Sequence, residues 1–357
     1  MGLFGMFSKN FLGIDIGTSA IRVVQLAEKS GKFNLENYAE VPSEGNFSKP
    51  FMSIGESSLF LSEENVTHAL RTALLQAKIT VKKALFSLPD FATFFTTFEL
   101  PKMNDKEMQD AVRFEAKKYI PVPLATVTLD WLPIEEIKSP DGKSSMFRIL
   151  AVAISNQIID QYQRVAQNCG LEFVGFEPEA FSLIRSVNGG YKKILCLMDI
   201  GMRSSTISIV DNGILQTSHS INFSGNEMNQ RLSEALGVDF AQAEEMKKTN
   251  GIMNVNPQVR DALVPSINMM IQEADRIFRD FYKMKEKKIS KMIVSGSPIA
   301  MPGLIEYFTQ QFSLEDGIEF ANPFSKLMYP SALEGKLKQS GPRFAVAIGA
   351  AMRGFEL

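Results

Sequence analysis

The chain has 357 residues, 45% hydrophobic and 22% charged, with a net charge of −2 and a pI near 5.9. That length calls for two or more domains, and the balanced charge argues against nucleic-acid binding. The only two histidines, His68 and His219, lie too far apart in sequence for a His-based zinc site or a Ser-His-Asp triad, and no run approaches the roughly 18–20 apolar residues of a membrane span.

The opening Met1–Lys9 is apolar but short, without a basic start or a cleavage site, and Met6 stands where myristoylation wants Ser or Thr. It reads as a frayed leader or as a peptide that touches a membrane or partner. Phe11–Ser19 and Ile21–Val24 then read as a hairpin, with a third strand at Lys32–Val41 and a Gly/Ser/Pro-rich loop to about Leu61. Ser62-Glu63-Glu64 opens a helix with the apolar face Val66, Ala69, Leu70, Ala73, Leu74 and Ala77. Ala84–Pro89 and the Phe- and Thr-rich Phe91–Leu100 read as strands. A helix follows at Asn104–Tyr119, capped by Asn104 and stopped by Pro121 and Pro123. Strands at Thr126–Glu135 and Met146–Ile154, hinged by Pro140-Asp141-Gly142, precede a helix at Gln157–Asn168. This texture marks an α+β insertion of about Ala84 to Cys169. The earlier pattern resumes at Phe173–Phe176, and from Lys192 a second hairpin begins, followed by a strand at Ile214–Ile221. Helices are expected at Asn226–Leu236, Phe240–Lys248 and Gln258–Met284, then a strand-and-helix set at Lys291–Phe312 and a small-residue helix at Arg343–Arg353. Cys169 and Cys196 sit in apolar segments without a CxxC spacing and read as buried thiols of a reducing, cytoplasmic compartment.

The most informative feature is a repeat. Gly13-Ile14-Asp15-Ile16-Gly17-Thr18-Ser19 recurs, altered, as Leu197-Met198-Asp199-Ile200-Gly201-Met202-Arg203-Ser204-Ser205-Thr206. Each copy is an apolar strand, Asp-Ile-Gly, a hydroxylated turn and a β-branched return strand. The glycine lets the backbone approach a ligand, the turn offers N–H groups and hydroxyls to an anion, and the aspartate can reach a metal-bound water. Three further features suit a nucleotide. Met292–Pro298 is a strand ending in the turn Gly296-Ser297, against which a base and ribose can lie, and Met301-Pro302-Gly303-Leu304 opens a helix behind it. Glu244 and Lys247 share one helical face, as ribose or adenine ligands or as a solvated surface pair. Glu177 and Glu179 lie where a strand gives way to a helix, to position water or hydrated Mg²⁺ or simply to favour a helix N-terminus.

In this order the motifs resemble the actin-like ATPase superfamily over essentially the whole chain: phosphate loops Asp15–Ser19 and Asp199–Thr206, connectors Glu177–Ala180 and Ala345–Ala351, adenosine loop Ser295–Gly303. The resemblance implies a two-lobed α/β actin-like (ribonuclease H-like, duplicated) fold around ATP or ADP with Mg²⁺. It assigns Asp15 and Asp199 to the metal through water, and the phosphates to Gly17, Thr18, Ser19, Gly201, Arg203, Ser204, Ser205 and Thr206. Glu244, Lys247, Gly296 and Ser297 would hold the nucleoside, and Glu177 would orient water as the catalytic group. Two departures stand out: Ser297 replaces the second of two adjacent glycines, and Met202-Arg203 replaces smaller residues.

A strand–helix–strand insertion before the first connector resembles the FtsA/PilM branch. The chain is most similar to type IV pilus assembly PilM proteins, through Gly2-Leu3-Phe4-Gly5, Glu115–Pro121 with Pro123, and Ala243–Lys248. FtsA carries a C-terminal amphipathic helix behind a linker, whereas this chain stops at Gly354–Leu357 soon after the second connector. The expected segments are 1–83, 170–191 and 341–357 for the first lobe, 84–169 for the insertion, and 192–225, 226–289 and 290–340 for the second lobe. The resemblance implies a cytoplasmic adaptor, held at the inner face of the inner membrane by the N-terminal cytoplasmic tail of a PilN-like single-pass protein. Other pilus components and self-association are further possible contacts, and the machine is a pilus or a related type II secretion system. The tail is expected over Phe86–Leu100, at Phe86, Leu88, Phe94, Phe95, Phe98 and Leu100, by strand addition with side-chain pockets. ATPase activity, if any, is expected to be slow. The alternatives are an FtsA-like polymer-forming protein and a small-molecule kinase, the latter lacking a recognisable catalytic Asp or His.

Overall fold

The computed structural model describes residues 9–43, 52–54, 59–138, 145–253, 256–296 and 301–357. In chain order the first elements are β1 (Asn10–Ile16), β2 (Ala20–Lys29), β3 (Lys32–Pro42), β4 (Met52–Ile54), β5 (Leu59–Leu61), α1 (Glu63–Gln76) and β6 (Lys83–Leu88). Then come β7 (Thr93–Pro101), α2 (Asp105–Ala116), β8 (Val127–Lys138), β9 (Ser145–Ser155), α3 (Asn156–Asn168), β10 (Glu172–Pro178) and α4 (Glu179–Val187). The remainder is β11 (Ile194–Ile200), β12 (Ser205–Asp211), β13 (Ile214–Ile221), α5 (Gly225–Leu236), α6 (Phe240–Thr249), α7 (Pro257–Lys285), β14 (Lys291–Gly296), α8 (Leu304–Gln311), β15 (Ile318–Phe320), β16 (Leu327–Met328) and α9 (Glu334–Arg353).

The chain divides into two compact units, one of residues 1–89, 157–189 and 322–357, the other of 90–156 and 190–321. The first unit is built on a six-stranded sheet in the order β10-β6-β1-β2-β3-β16. Its central hairpin is antiparallel, while β6 joins β1, and β10 joins β6, in parallel. Parallel neighbours buried on both faces explain why β1 and β6 read as unbroken apolar runs. On one face α9 lies so close that a methyl at Gly13 would overlap Ala347 and Ala351, and Val24, Leu26, Phe344 and Ile348 complete that core.

The second unit repeats the plan. Its five-stranded sheet, β13-β12-β11-β14-β15, has the same antiparallel three-strand meander and the same two parallel additions. α7 lays Val259, Leu263, Ile267, Met270, Ala274, Ile277 and Phe281 on the core, a stripe spaced by threes and fours. Asn256 caps it, its Oδ1 accepting from the N–H groups of Gln258 and Val259. The three-stranded antiparallel sheet β7-β9-β8 belongs to this unit, with α2 packing Met108, Val112 and Ala116 on Phe98, Ile149 and Ala151. As the sequence predicts, Asn104 caps α2, in a reciprocal box with Glu107.

Several boundaries differ from the expected ones. Lys83–Leu88 is not part of the insertion: as β6 it is the parallel neighbour of β1, and α3 also belongs to the first unit. A parallel partner about 70 residues away leaves no local trace, so the run is indistinguishable in sequence from the strands after it. Residues 322–340 join the first unit rather than the second, through β16 beside β3 and through Phe324 in the α9 core. α9 starts at Glu334, nine residues before the predicted start, and carries Pro342 inside the helix. The short β15 and β16 carry too few residues to show a period. The residue 1–8 leader and the Pro140–Gly142 hinge lie outside the described residues.

Candidate functional site

The two hairpin turns carry matching chemistry. In the first unit Asp15, last but one in β1 and only 5% exposed, lies level with Ser87 on β6 and Arg22 on β2. Ser87 Oγ donates to Asp15 Oδ1 at 3.2 Å, and Arg22 Nη1 approaches Oδ2 at 3.5 Å. Arg22 also donates through Nε to Glu40 at 2.9 Å, so its charge is shared between two carboxylates. The turn itself is closed by Gly17 N–H donating to the Ala20 carbonyl, and Ser43 fastens it through the Thr18 and Ser19 carbonyls. Gly17, Thr18 and Ser19 are partly exposed.

In the second unit Asp199 lies level with Thr206 on β12 and Ser295 on β14. Ser295 Oγ donates to Asp199 Oδ1 at 2.5 Å, the counterpart of the Ser87 bond. Gly201 N–H donates to the Ser204 carbonyl, repeating the Gly17 closure. Here the turn is also braced from behind: Gly225 and Asn226, at the N-terminus of α5, donate backbone N–H groups to the Gly201 and Met202 carbonyls. Gly201, Arg203 and Ser204 are partly exposed, whereas Ser205 is buried with its hydroxyl donated to the Phe223 carbonyl. Ser205 is therefore a strut of the turn; Thr206 is 7% exposed.

Beside this turn β14 ends at Gly296, whose φ of +101° and contact with the Ile200 carbonyl leave no room for a side chain. Ser297 lies outside the described residues. Glu244 and Lys247 are not a solvated pair. Lys247, 1% exposed, donates to Glu244 Oε2 at 2.5 Å, Asn229 Oδ1 at 2.7 Å and the Gly225 carbonyl at 3.2 Å. Burial pushes the Glu244 carboxyl up, but the Lys247 charge, with hydrogen bonds from Lys247, Asn229 and Lys248, outweighs it and holds the carboxyl below its ordinary range. The cluster pins α6 to the N-terminus of α5, the helix that braces the second turn.

Glu177, at the end of β10 and 8% exposed, accepts on Oε1 from Ser182 Oγ at 2.5 Å and from Arg185. Arg185 also meets Glu356 at 3.0 Å and the Gly349 carbonyl at 3.2 Å. That geometry ties the first connector to α9. The residues expected to receive a partner's tail are divided. Phe86 and Leu88 are sealed in the first unit's sheet, Phe86 against Tyr162 and Phe173, so they form no groove. Phe98 and Leu100 are buried in the insertion core; only Phe94 and Phe95 are half-exposed. The strand period places Phe94 and Phe98 on one face but does not tell that this face meets α2.

Sequence reasoning gave no role to Ser87, Arg22 and Asn229, and took Ser295 only as the start of the adenosine loop, not as the partner of Asp199. The two serines had a signal: each is the lone hydroxyl near the end of an apolar strand, in Phe86-Ser87-Leu88 and Val294-Ser295-Gly296. Among the described residues no group of three His, Cys, Asp or Glu side chains gathers into a metal cage, and no helix is long and apolar enough to cross a membrane.

Two sheets of one plan, each with an Asp-Ile-Gly hairpin turn beside a serine of the parallel neighbour strand, make a duplicated α/β fold of the actin-like class. A family model described as type IV pilus assembly protein PilM matches residues 13–355, and the chain belongs to that family. Among solved structures it is similar to the PilM–PilN type IV pilus biogenesis complex, with a TM-score of 0.82, 22% identity, and 97% of this chain and 98% of the other covered. MreB5 of Spiroplasma citri, solved bound to AMPPNP, gives a TM-score of 0.55 at 12% identity, covering 96% and 95%. These likenesses show the fold. The cell division protein FtsA of Bacillus subtilis (strain 168) is 25% identical over 265 residues, covering 68% of this chain; the chain spans 58% of that relative's length.

Proposed function

We propose that this chain is a nucleotide-binding, actin-like adaptor of the pilus assembly machinery that grips the N-terminal cytoplasmic tail of a PilN-like membrane protein and is thereby held at the inner face of the inner membrane. The observation that carries the adaptor reading is the family match across residues 13–355, which takes in both turns and the insertion. The solved PilM–PilN complex, whose likeness spans 97% of this chain, supports the choice of partner.

The nucleotide part of the reading rests on the turns. The partly exposed Gly17, Thr18, Ser19, Gly201, Arg203 and Ser204 offer backbone and side-chain donors, and Gly296 lets β14 end close against the Ile200 backbone beside the second turn, which suits ATP or ADP. ATP with Mg²⁺ would supply the negative charge that these donors are arranged to meet. Asp15 and Asp199 would each present a carboxylate to a hydrated cation, oriented by its own serine. Arg22 would neutralise Asp15 or a phosphate oxygen as the charge balance requires. Arg203 and Thr206 would add donors at the second turn, and Glu244 would face the nucleoside while Lys247 holds it in place. Glu177 could orient a water only through its second carboxylate oxygen, since Oε1 already accepts two hydrogen bonds.

The test is a binding titration of a synthetic peptide copying the partner's cytoplasmic tail, with and without Mg-ATP. Saturable binding that changes with nucleotide supports the adaptor and its modulation. Equal affinities in both arms overturn the modulation alone, and no binding in either arm overturns the adaptor. Mass spectrometry of the nucleotide carried through purification tests the ligand separately.

A further inference from the structure

The insertion is fastened to the rest of the second unit by a cluster of ions. β7, β8 and β9 all lie against β13. There Lys285, the last residue of α7, donates to Oε2 of Glu135 on β8, with its side chain only 6% exposed. The same oxygen accepts from Arg148 on β9 at 2.9 Å, and Arg148 donates to Glu99 on β7 at 2.7 Å. Each strand of the insertion thus adds one charge, and with Lys285 the four sum to zero. Burial pushes the Glu135 carboxyl up, yet Lys285, joined by Arg148 and Lys287, holds it below its ordinary range, so the cluster is ionic. Just beyond the helix, Lys287 donates to Asp211 at the far end of β12 at 2.6 Å.

Two rigid elements lead from this fastening to the second turn. β12 runs from Ser205 and Thr206 at the turn to Asp211 beside the cluster. α5, whose first N–H groups hold the Gly201 and Met202 carbonyls, packs on α7, which ends in Lys285. Only the Lys285 end is shielded; the Glu135 side chain is 36% exposed and keeps Arg148, so removing the Lys285 ammonium unfastens α7 from β8 while leaving the insertion's own ion pairs in place. Coupling between distant places needs a link that can be made or broken, biased from both ends.

We propose that the Lys285–Glu135 fastening couples the insertion to the second turn, so that a nucleotide at Asp199 orders β8 and β9. This rests on the nucleotide reading above, and the experiment separates the two. Hydrogen–deuterium exchange is followed on the full chain with and without Mg-ATP, in wild type, Lys285→Gln and Lys285→Arg. Wild type should exchange roughly threefold more slowly with nucleotide both at 199–206 and across β8 and β9. Lys285→Gln should keep the slowing at 199–206 and lose it in β8 and β9, and Lys285→Arg, which preserves the ion pair, should retain both. Slowing at 199–206 without slowing in β8 and β9 of wild type overturns the coupling and leaves the nucleotide reading intact. A Lys285→Gln chain that responds like wild type overturns the coupling in the same way. No slowing at 199–206 in wild type overturns the nucleotide reading, and the coupling with it.

Discussion

At Lys247 a full positive charge sits almost out of water, held by a carboxylate, an amide oxygen and a backbone carbonyl. A buried lysine without such partners loses its proton; with them it becomes a fixed joint. Replacing it with methionine keeps the stem but strands Asn229 Oδ1 and the Gly225 carbonyl, and leaves the Glu244 carboxylate to Asn229 and Lys248 alone. Lys247→Met should therefore cost about 3–5 kcal/mol, read by urea unfolding; a loss below about 1 kcal/mol would mean water replaces the ammonium. The same joint sets an acid limit. The Glu244 carboxyl titrates below its ordinary 4.5 when folded, so its contribution is complete above that value and is lost as pH falls through the lower, folded one. The stability gap between wild type and Glu244→Gln should stay constant above about pH 6 and close as the pH is taken down to about 3. A gap that widens on acidification would reverse the assignment. Of these residues the sequence displayed only the spacing of Glu244 and Lys247. Asn229, fifteen residues back from Glu244, turns a helix-face pair into a buried cluster and has no local signature.

Elements whose cause is local are readable from sequence. α2 has its Asn104–Glu107 box and its prolines, α1 its apolar stripe, and both hairpins their Asp-Ile-Gly turns. Elements defined by a distant partner are not. β6 reads like the strands that follow it, yet it pairs with β1; β16 is two residues long and exists only because β3 is beside it. α9 shows the competition most sharply. Helix propensity favours alanine over glycine by roughly 1 kcal/mol, so Gly349→Ala should stabilise an isolated helix. Here a methyl at Gly349 would overlap the Ser182 carbonyl of α4, and neither backbone can give way without opening the α4–α9 contact. Packing wins: Gly349→Ala should destabilise by about 1–3 kcal/mol in denaturant titration, against the sign that propensity gives. Gly335 has open space around it and serves as the control, since alanine there should be neutral or stabilising.

The duplication governs the whole molecule. Two sheets with one strand plan each end a central strand in Asp-Ile-Gly, and each places a serine of the parallel neighbour on that aspartate. The turns are plain in the sequence because the repeat lies within a few residues. The serines are not, because they arrive from β6 and β14, some 72 and 96 residues away. The copies differ where charge is concerned: Arg22 stands beside Asp15 where Thr206 stands beside Asp199. A ligand bound only by the folded chain stabilises it by about 2.7 kcal/mol at a hundredfold excess over Kd, roughly 5–10 °C in melting temperature. Saturating Mg-ATP should produce that shift in wild type. Asp15→Asn keeps the shape and the Ser87 hydrogen bond, and Glu40 remains to balance Arg22, so the unliganded melting point should change little. What it removes is the carboxylate charge, and the Mg-ATP shift should fall to under about a quarter of the wild-type value, with Asp199→Asn doing the same. Ser87→Ala and Ser295→Ala leave both charges but free the carboxylates to turn, so their shifts should fall between. An Asp15→Asn chain that melts with the full nucleotide shift would remove the first turn from the site, whatever the second turn then does.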